Sequence, residues 1–160
     1  MNQASAGIAR LAAITALLGA LIVIVSQVVS AYALEDQLGN VIATVDLLEK
    51  HGVVTALFGL AAAIAVVFAV ATGSRAAAIV VIGLGVAVIL IFLIVDLPDI
   101  GNTGMYDTPG AGNLDATGKA SSGLWLELTG GLILVLGGIA LSTLNAIQLR
   151  AIGPARSNDT

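Results

Sequence analysis

Four long apolar stretches constrain this chain more than any other feature of its sequence. They lie at about residues 11–29, 53–72, 76–95 and 124–144, and a helix needs about 20 such residues to cross the hydrocarbon core of a bilayer. The chain is 58% hydrophobic and 10% charged, whereas soluble domains carry about 25% charged residues. Such a chain cannot cover itself with a polar surface, so the sequence predicts an integral membrane protein.

The apolar stretches predict helices, because lipid offers no hydrogen bonds to an unpaired backbone. This holds even for residues 76–95, where Val and Ile are frequent. The short connection Gly73-Ser74-Arg75 predicts that its two helices form an antiparallel hairpin. We therefore predict an all-α membrane protein, an antiparallel four-helix transmembrane bundle. Residues 1–150 form its single domain, and residues 151–160 a flexible cytoplasmic tail.

The two longer connections show no clear apolar periodicity. Residues 96–122 are rich in Gly, Asp, Thr and Asn, and we interpret them as an irregular loop. In the first connection, Asp46 is followed three residues later by Glu49, which resembles a capping box. The second helix is therefore predicted to begin near Asp46.

The basic residues predict an orientation. The termini and the short turn hold Arg10, Arg75, Arg150 and Arg156, whereas the longer loops hold only Lys50 and Lys119 beside eight acids. Cytoplasmic loops of membrane proteins carry the excess of Lys and Arg. We expect a multi-pass protein of the cell membrane with both termini in the cytoplasm and both longer loops outside.

Small residues recur on one face of several predicted helices. Gly131 and Gly138 share a face of the fourth stretch with Glu127, and Gly19 and Gly59 lie on comparable faces of the first two. Small side chains let membrane helices approach closely. We interpret these four glycines as helix-packing positions and expect the other helices to gather around this face of the fourth.

The predicted topology places four polar residues near the outer ends of the four spans: Gln27, His51, Asp96 and Glu127. If they converge, this group could bind a ligand or divalent cation, or respond to protons through the histidine. The alternative is that Asp96 and His51 are solvated helix ends and that Glu127 extends to the membrane interface.

Glu127 is the strongest single candidate, because an acid within an apolar helix is costly. One hypothesis makes it a proton or cation coupling site. The other makes it the hydrogen-bond partner of Gln27, so that the pair sets helix register. Both residues lie at similar predicted depth on small-residue faces, and we predict that they meet.

Several functions find no support in the sequence. There is no cysteine, no serine in a nucleophile motif, and no glycine loop followed by lysine. The formal charge of −4 gives no basic footprint for nucleic acid. We predict neither an enzyme nor a bound cofactor or metal centre.

Short motifs lie near the ends of the apolar stretches along the whole chain: Arg10, Asp46-Leu47-Leu48, Arg75, Asp96 to Asp99, and Gly123-Leu124-Trp125-Leu126 leading into Gly137-Gly138. In these the chain resembles small four-span bacterial membrane proteins of no assigned function. Such proteins often end the first span with a Pro-Trp-Tyr-like motif, of which only Tyr32 is present. The resemblance implies a four-helix fold and no activity. The layout is also similar to that of claudin-like proteins, whose paired cysteines are absent.

Two functional classes follow. The first is a structural or accessory subunit that packs laterally with other membrane proteins or with itself in the bilayer. The alternative is a small oligomeric transporter or channel with a polar outer-leaflet site around Glu127, although the second and third spans offer almost no polar side chain at mid-membrane.

Overall fold

The structure, a computed structural model, describes residues 3–51, 53–108 and 112–144. Four of its helices are long and apolar enough to cross a membrane, as the sequence predicts. Three of them are α1 (Gln3–Ser26), α3 (Val54–Thr72) and α5 (Ser122–Thr143). The fourth is α4 (Arg75–Ile91) with the turns that extend it to Asp99.

The prediction of a purely α-helical protein is wrong, because the two longer connections form one antiparallel sheet. Its strands are β1 (Ser30–Glu35), β2 (Val41–Asp46), β3 (Thr103–Thr108) and β4 (Gly112–Ala120). Their order is β2-β1-β4-β3, so the two hairpins join where β1 pairs with β4. The bundle therefore has a sheet end, and an opposite end at the turn before Arg75.

Local chemistry forms the first hairpin. Asp36 Oδ1 accepts hydrogen bonds from the backbone N–H groups of Leu38 and Asn40 at 2.9 and 2.8 Å. Gly39 takes the left-handed conformation, with φ of 83°, which glycine adopts without steric cost. The β-branched residues that follow suit a strand.

The second hairpin contradicts the interpretation of residues 96–122 as irregular. β4 is nine residues long and pairs with β3 on one side and with β1 on the other. Its polar, glycine-containing sequence shows no alternation. Its backbone groups are instead paired by strands that lie far away in the sequence, as in the match of Ala120 with Tyr32.

The predicted second helix is divided in two. A short helix α2 (Leu47–His51) precedes α3. The Asp46 side chain accepts a hydrogen bond from the Glu49 backbone N–H at 2.8 Å, so the helix start predicted near Asp46 is confirmed for α2. The first helix also ends at Ser26, earlier than its predicted end at residue 29.

The end of α4 departs from ideal helix geometry. A π-helical turn, Phe92–Asp96, follows α4 and leads into the 3₁₀ turn Leu97–Asp99. π-Helical turns are rare and often lie at functional sites. Asp96, which closes this turn, is fully buried.

Close helix contacts form the centre of the bundle. α5 packs mainly against α1 and α4, and α3 packs against α1 and α4, so the expectation that all three other helices gather around α5 holds for two of them. The four glycines interpreted as packing positions lie at these contacts. A side-chain carbon at any of them would lie within 3.3 Å of a backbone atom of another helix: Leu134 for Gly19, Ala20 for Gly59, Gly85 for Gly131 and Ile82 for Gly138.

The bundle interior between the two ends is apolar. Its buried residues include Ala16, Val23, Val66, Val88 and Leu134. A second apolar cluster lies beneath the sheet and contains Ala31, Tyr32, Leu47, Phe92 and Leu124. The buried polar residues of the structure lie near the boundary between these two clusters.

Candidate functional site

The register of α1 against α5 fixes the depth of Glu127. Two contacts define it: Gly130 against Val23 and Gly137 against Ala16. In a pair of antiparallel helices, this register puts Glu127 opposite Ser26 and next to the level of Gln27.

Besides Ser26 of α1, four buried polar side chains lie near this level, in or next to four different elements. Gln27 follows α1, Thr55 is in α3, Asp96 ends the π-helical turn, and Glu127 is in α5. All four are at most 1% exposed. The Glu127 carboxyl interacts with Asp96 and lies close to the Thr55 hydroxyl, although the Thr55 contact does not have the geometry of a hydrogen bond. We call these four residues the polar layer.

Two residues of the predicted group, Asp96 and Glu127, belong to the polar layer and differ from the solvated alternative. Asp96 and Glu127 are not solvated or extended toward the interface, since both are fully buried. The structure brings these two acids together, as the convergence hypothesis expects. The side chain of His51 lies outside the described residues, and Thr55 was not among the predicted members.

The predicted hydrogen bond between Gln27 and Glu127 is wrong. The Gln27 amide Nε2 donates to Ser26 Oγ at 3.0 Å and to the Val23 carbonyl at 3.4 Å. Within the part of the chain that the structure describes, four buried side-chain oxygens have no hydrogen-bond partner: Gln27 Oε1, Thr55 Oγ1 and both carboxylate oxygens of Glu127. Gln27, the first residue beyond α1, therefore hydrogen-bonds to its own helix and not to Glu127 of α5.

Lys50, like Thr55, belongs to the site but is not among the residues predicted from the sequence. Its Nζ lies 2.9 Å from Asp96 Oδ1 and 2.6 Å from Asp99 Oδ2. It also donates to Tyr32 Oη at 2.9 Å. One signal was available, because Lys50 is the only basic residue of the first connection. Its partners follow from α2 folding toward the end of α4, which the sequence does not show.

Tyr32 completes the contacts around Asp96. Its hydroxyl donates to the Asp96 backbone carbonyl at 2.8 Å and lies 3.3 Å from Asp96 Oδ1. Burial raises the pKa of Tyr32 to about 12. Burial alone would lower the pKa of Lys50, but hydrogen bonds to Asp99, Tyr32 and Asp96 outweigh it and raise that pKa above its ordinary value. At neutral pH the site therefore contains a lysine ammonium and a neutral phenol.

A cleft of about 420 Å³ lies above these residues at the sheet end. Tyr32 and Lys50 line it and also contact Asp96, so they separate the cleft from the polar layer. The rest of its wall comes from both hairpins and from α2: Leu34, Val45, Glu49, Asp99, Asn102, Thr103, Gly104 and Gly118. The cleft is within the size range of small-molecule sites.

The site combines charged and neutral polar side chains from several elements. Among the described residues, no group of three or more His, Cys, Asp or Glu side chains could hold a metal ion. The contacts around Asp96 combine acids, one ammonium and one phenol, all held by packing and hydrogen bonds. Such an arrangement can bind a small charged group.

Comparison of the chain with protein-family models, with curated proteins and with solved structures finds no match. The resemblance to small four-span bacterial membrane proteins therefore stays a prediction.

Proposed function

We propose that this chain is an integral membrane protein that acts as a structural or accessory subunit, packing laterally with other membrane proteins or with copies of itself. The observation that supports this most directly is the close-packed, apolar bundle interior. A channel or transporter needs polar groups along its path. In the described residues, the buried polar groups gather at one level toward the sheet end.

The sheet end gives the subunit a rigid surface outside the bilayer. The Lys50 ion pairs connect α2 to the end of α4, and Gly123, in the first turn of α5, packs against the Val29 carbonyl. β2 and β3 are the edge strands of the sheet. Edge strands present unpaired backbone donors and acceptors that another chain can use.

In the proposed membrane orientation, the sheet end faces outward. The Arg75 turn belongs to the opposite end, where Arg75 Nε donates to the Ser142 carbonyl at 2.9 Å. Arg10 lies toward the same end, since α1 runs from there to the sheet. The excess of arginine at this end supports a cytoplasmic location for it.

Site-specific photocrosslinking in native membranes tests lateral association. A photoreactive residue at Leu136, which is 64% exposed on α5, should give discrete protein adducts if α5 contacts a partner or a second copy. The matched position inside the bundle, Leu134, is fully buried and should give only intramolecular products. Only lipid adducts at Leu136, and likewise at Ile64 of α3 and Val80 of α4, would contradict the proposal.

The alternative function, a small oligomeric transporter or channel, is favoured by one observation, the buried oxygens of Gln27, Thr55 and Glu127 that have no hydrogen-bond partner among the described residues. Ion flux into proteoliposomes that contain the purified protein separates the two functions. The accessory role predicts no flux above that of empty vesicles. Flux that disappears in Glu127→Gln would support the alternative instead.

A further inference from the structure

We propose that the polar layer binds one small monovalent cation, of the size of Na⁺, at the buried oxygens of Glu127, Thr55 and Gln27. This site goes beyond the proposed accessory role and does not depend on it. The three residues come from α5, α3 and the end of α1, so an ion held between them would connect three of the four long helices.

The first argument is the set of buried oxygens that have no hydrogen-bond partner. Buried polar atoms in proteins nearly always have a hydrogen-bond partner, and an exception calls for an explanation such as an ion or water. Four buried oxygens, from Gln27, Thr55 and the Glu127 carboxylate, have no partner among the described residues. Carboxylate, amide and hydroxyl oxygens are the ligands that hard cations prefer. A cation can bind several of these oxygens at once, whereas the Thr55 hydroxyl and a proton on Glu127 would each donate one hydrogen bond.

The second argument is the charge balance. Glu127 brings a buried carboxyl group to the level, whereas the Lys50 ammonium lies against Asp96. Lys50 also shares its ammonium with Asp99. A buried charge needs compensation, and one further positive charge balances Glu127. The charge balance therefore favours a monovalent ion, and the described residues lack the three-acid group that a divalent metal would use.

The third argument is access from the sheet end. The cleft of about 420 Å³ reaches down to Lys50 and Tyr32, and the Lys50 side chain is 19% exposed. Both residues contact Asp96, which interacts with Glu127. Beyond the polar layer the described interior is apolar. The ion would enter and leave through the cleft, so that the site binds an ion without conducting it.

Thermal unfolding of the full chain in detergent tests the site. Unfolding is measured in NaCl, KCl and choline chloride at equal ionic strength, since a ligand that binds only the folded state raises the melting temperature. We expect a saturable rise with Na⁺ that is absent in choline. Glu127→Gln should abolish the Na⁺ response, and Thr55→Val should weaken the apparent Na⁺ affinity by about tenfold.

The control variant is Asp115→Asn, which makes the same chemical change at an exposed residue of β4 outside the lining of the cleft and should keep the full Na⁺ response. Equal melting temperatures in NaCl and choline chloride for the unmodified protein would overturn the proposal. An equal rise in KCl would overturn the assigned ion size. A response to pH alone, lost in Glu127→Gln, would show a proton site in place of the cation site. If Glu127→Gln does not fold, Thr55→Val and Asp115→Asn make the same comparison.

Discussion

Lys50 Nζ lies 2.9 Å from Asp96 Oδ1, and this ion pair joins two elements 46 residues apart in the sequence. The Asp96 side chain is fully buried and that of Lys50 is 19% exposed. The pair connects α2, which leads from the sheet into the membrane, to the π-helical turn at the end of α4. It is the most direct ionic contact between the sheet end and the polar layer.

The first prediction concerns this pair. Breaking a buried ion pair by removing one partner costs about 3–5 kcal/mol, and Lys50 is one such partner of the buried Asp96 carboxylate. Lys50→Met should therefore lower the free energy of unfolding by about 3 kcal/mol, measured by chemical denaturation in detergent. Asp99→Asn is the control, because Asp99 is 48% exposed and exposed pairs contribute about 0–1 kcal/mol. Equal stability of Lys50→Met and the unmodified protein would contradict the importance of the pair.

The helices and their contact faces could be predicted from local sequence. Length and hydropathy alone define four membrane helices, and the period of 3.6 residues places Gly19 and Gly138 on packed faces. The same reasoning predicts that Asp96 and Glu127 lie at one level. Asp96 is at the end of the third span and Glu127 is near the start of the fourth, and these two ends of adjacent antiparallel spans have similar depth. These features depend on spacing within one helix or on the order of helices.

The sheet and Lys50 could not be predicted in the same way. β4 pairs with β1, a strand far away in the sequence. The sequence of β4 itself shows no alternation of apolar and polar residues. Lys50 acquires its role only when α2 packs against the end of α4. Gln27 shows a different kind of error. Its depth predicts Glu127 as its hydrogen-bond partner, whereas its amide donates to Ser26 and to the Val23 carbonyl, which are its neighbours in the sequence.

The second prediction uses two glycines of different surroundings. A side-chain carbon at Gly123 would collide with the Val29 carbonyl, whereas one at Gly83 would meet nothing within 4 Å. Gly123→Ala should cost about 1–3 kcal/mol through overpacking. Gly83→Ala should be neutral or stabilise by up to about 1 kcal/mol, since alanine favours helix. Denaturation of both variants in detergent measures the difference, and equal effects would remove the close contact as its cause.

The third prediction tests the interface of α4 with α5. At Gly138 a side-chain carbon would lie 3.0 Å from the Ile82 backbone nitrogen, so Gly138→Leu should destabilise by about 1–3 kcal/mol or more. Leu136→Ala, two residues away on an exposed face, should change the melting temperature little. A Gly138→Leu protein as stable as the original in detergent would show that α4 and α5 can separate at no cost.

The fourth prediction concerns alkaline pH. Burial raises the pKa of Tyr32 from 10.0 to about 12, so as pH rises the unfolded chain loses this proton before the folded one. The corresponding stability is complete below pH 10 and is lost as pH rises toward 12. The raised pKa of Lys50 acts in the same direction. Stability measured from pH 8 to pH 11 should therefore fall, and fall less steeply in Tyr32→Phe; identical slopes would show that the Tyr32 phenol does not contribute.

The last prediction is the orientation in the cell membrane. Leu38 lies at the tip of the first hairpin, at the sheet end, and is 86% exposed. Ser74 lies in the turn before α4 at the opposite end. The excess of arginine at the Ser74 end predicts that this end is cytoplasmic. In intact cells a membrane-impermeant thiol reagent should label Leu38→Cys and spare Ser74→Cys, and permeabilised cells should label both. Because the chain has no cysteine of its own, each signal comes from one site. Labelling of Ser74→Cys alone in intact cells would reverse the orientation, and the cleft above Lys50 would then open to the cytoplasm.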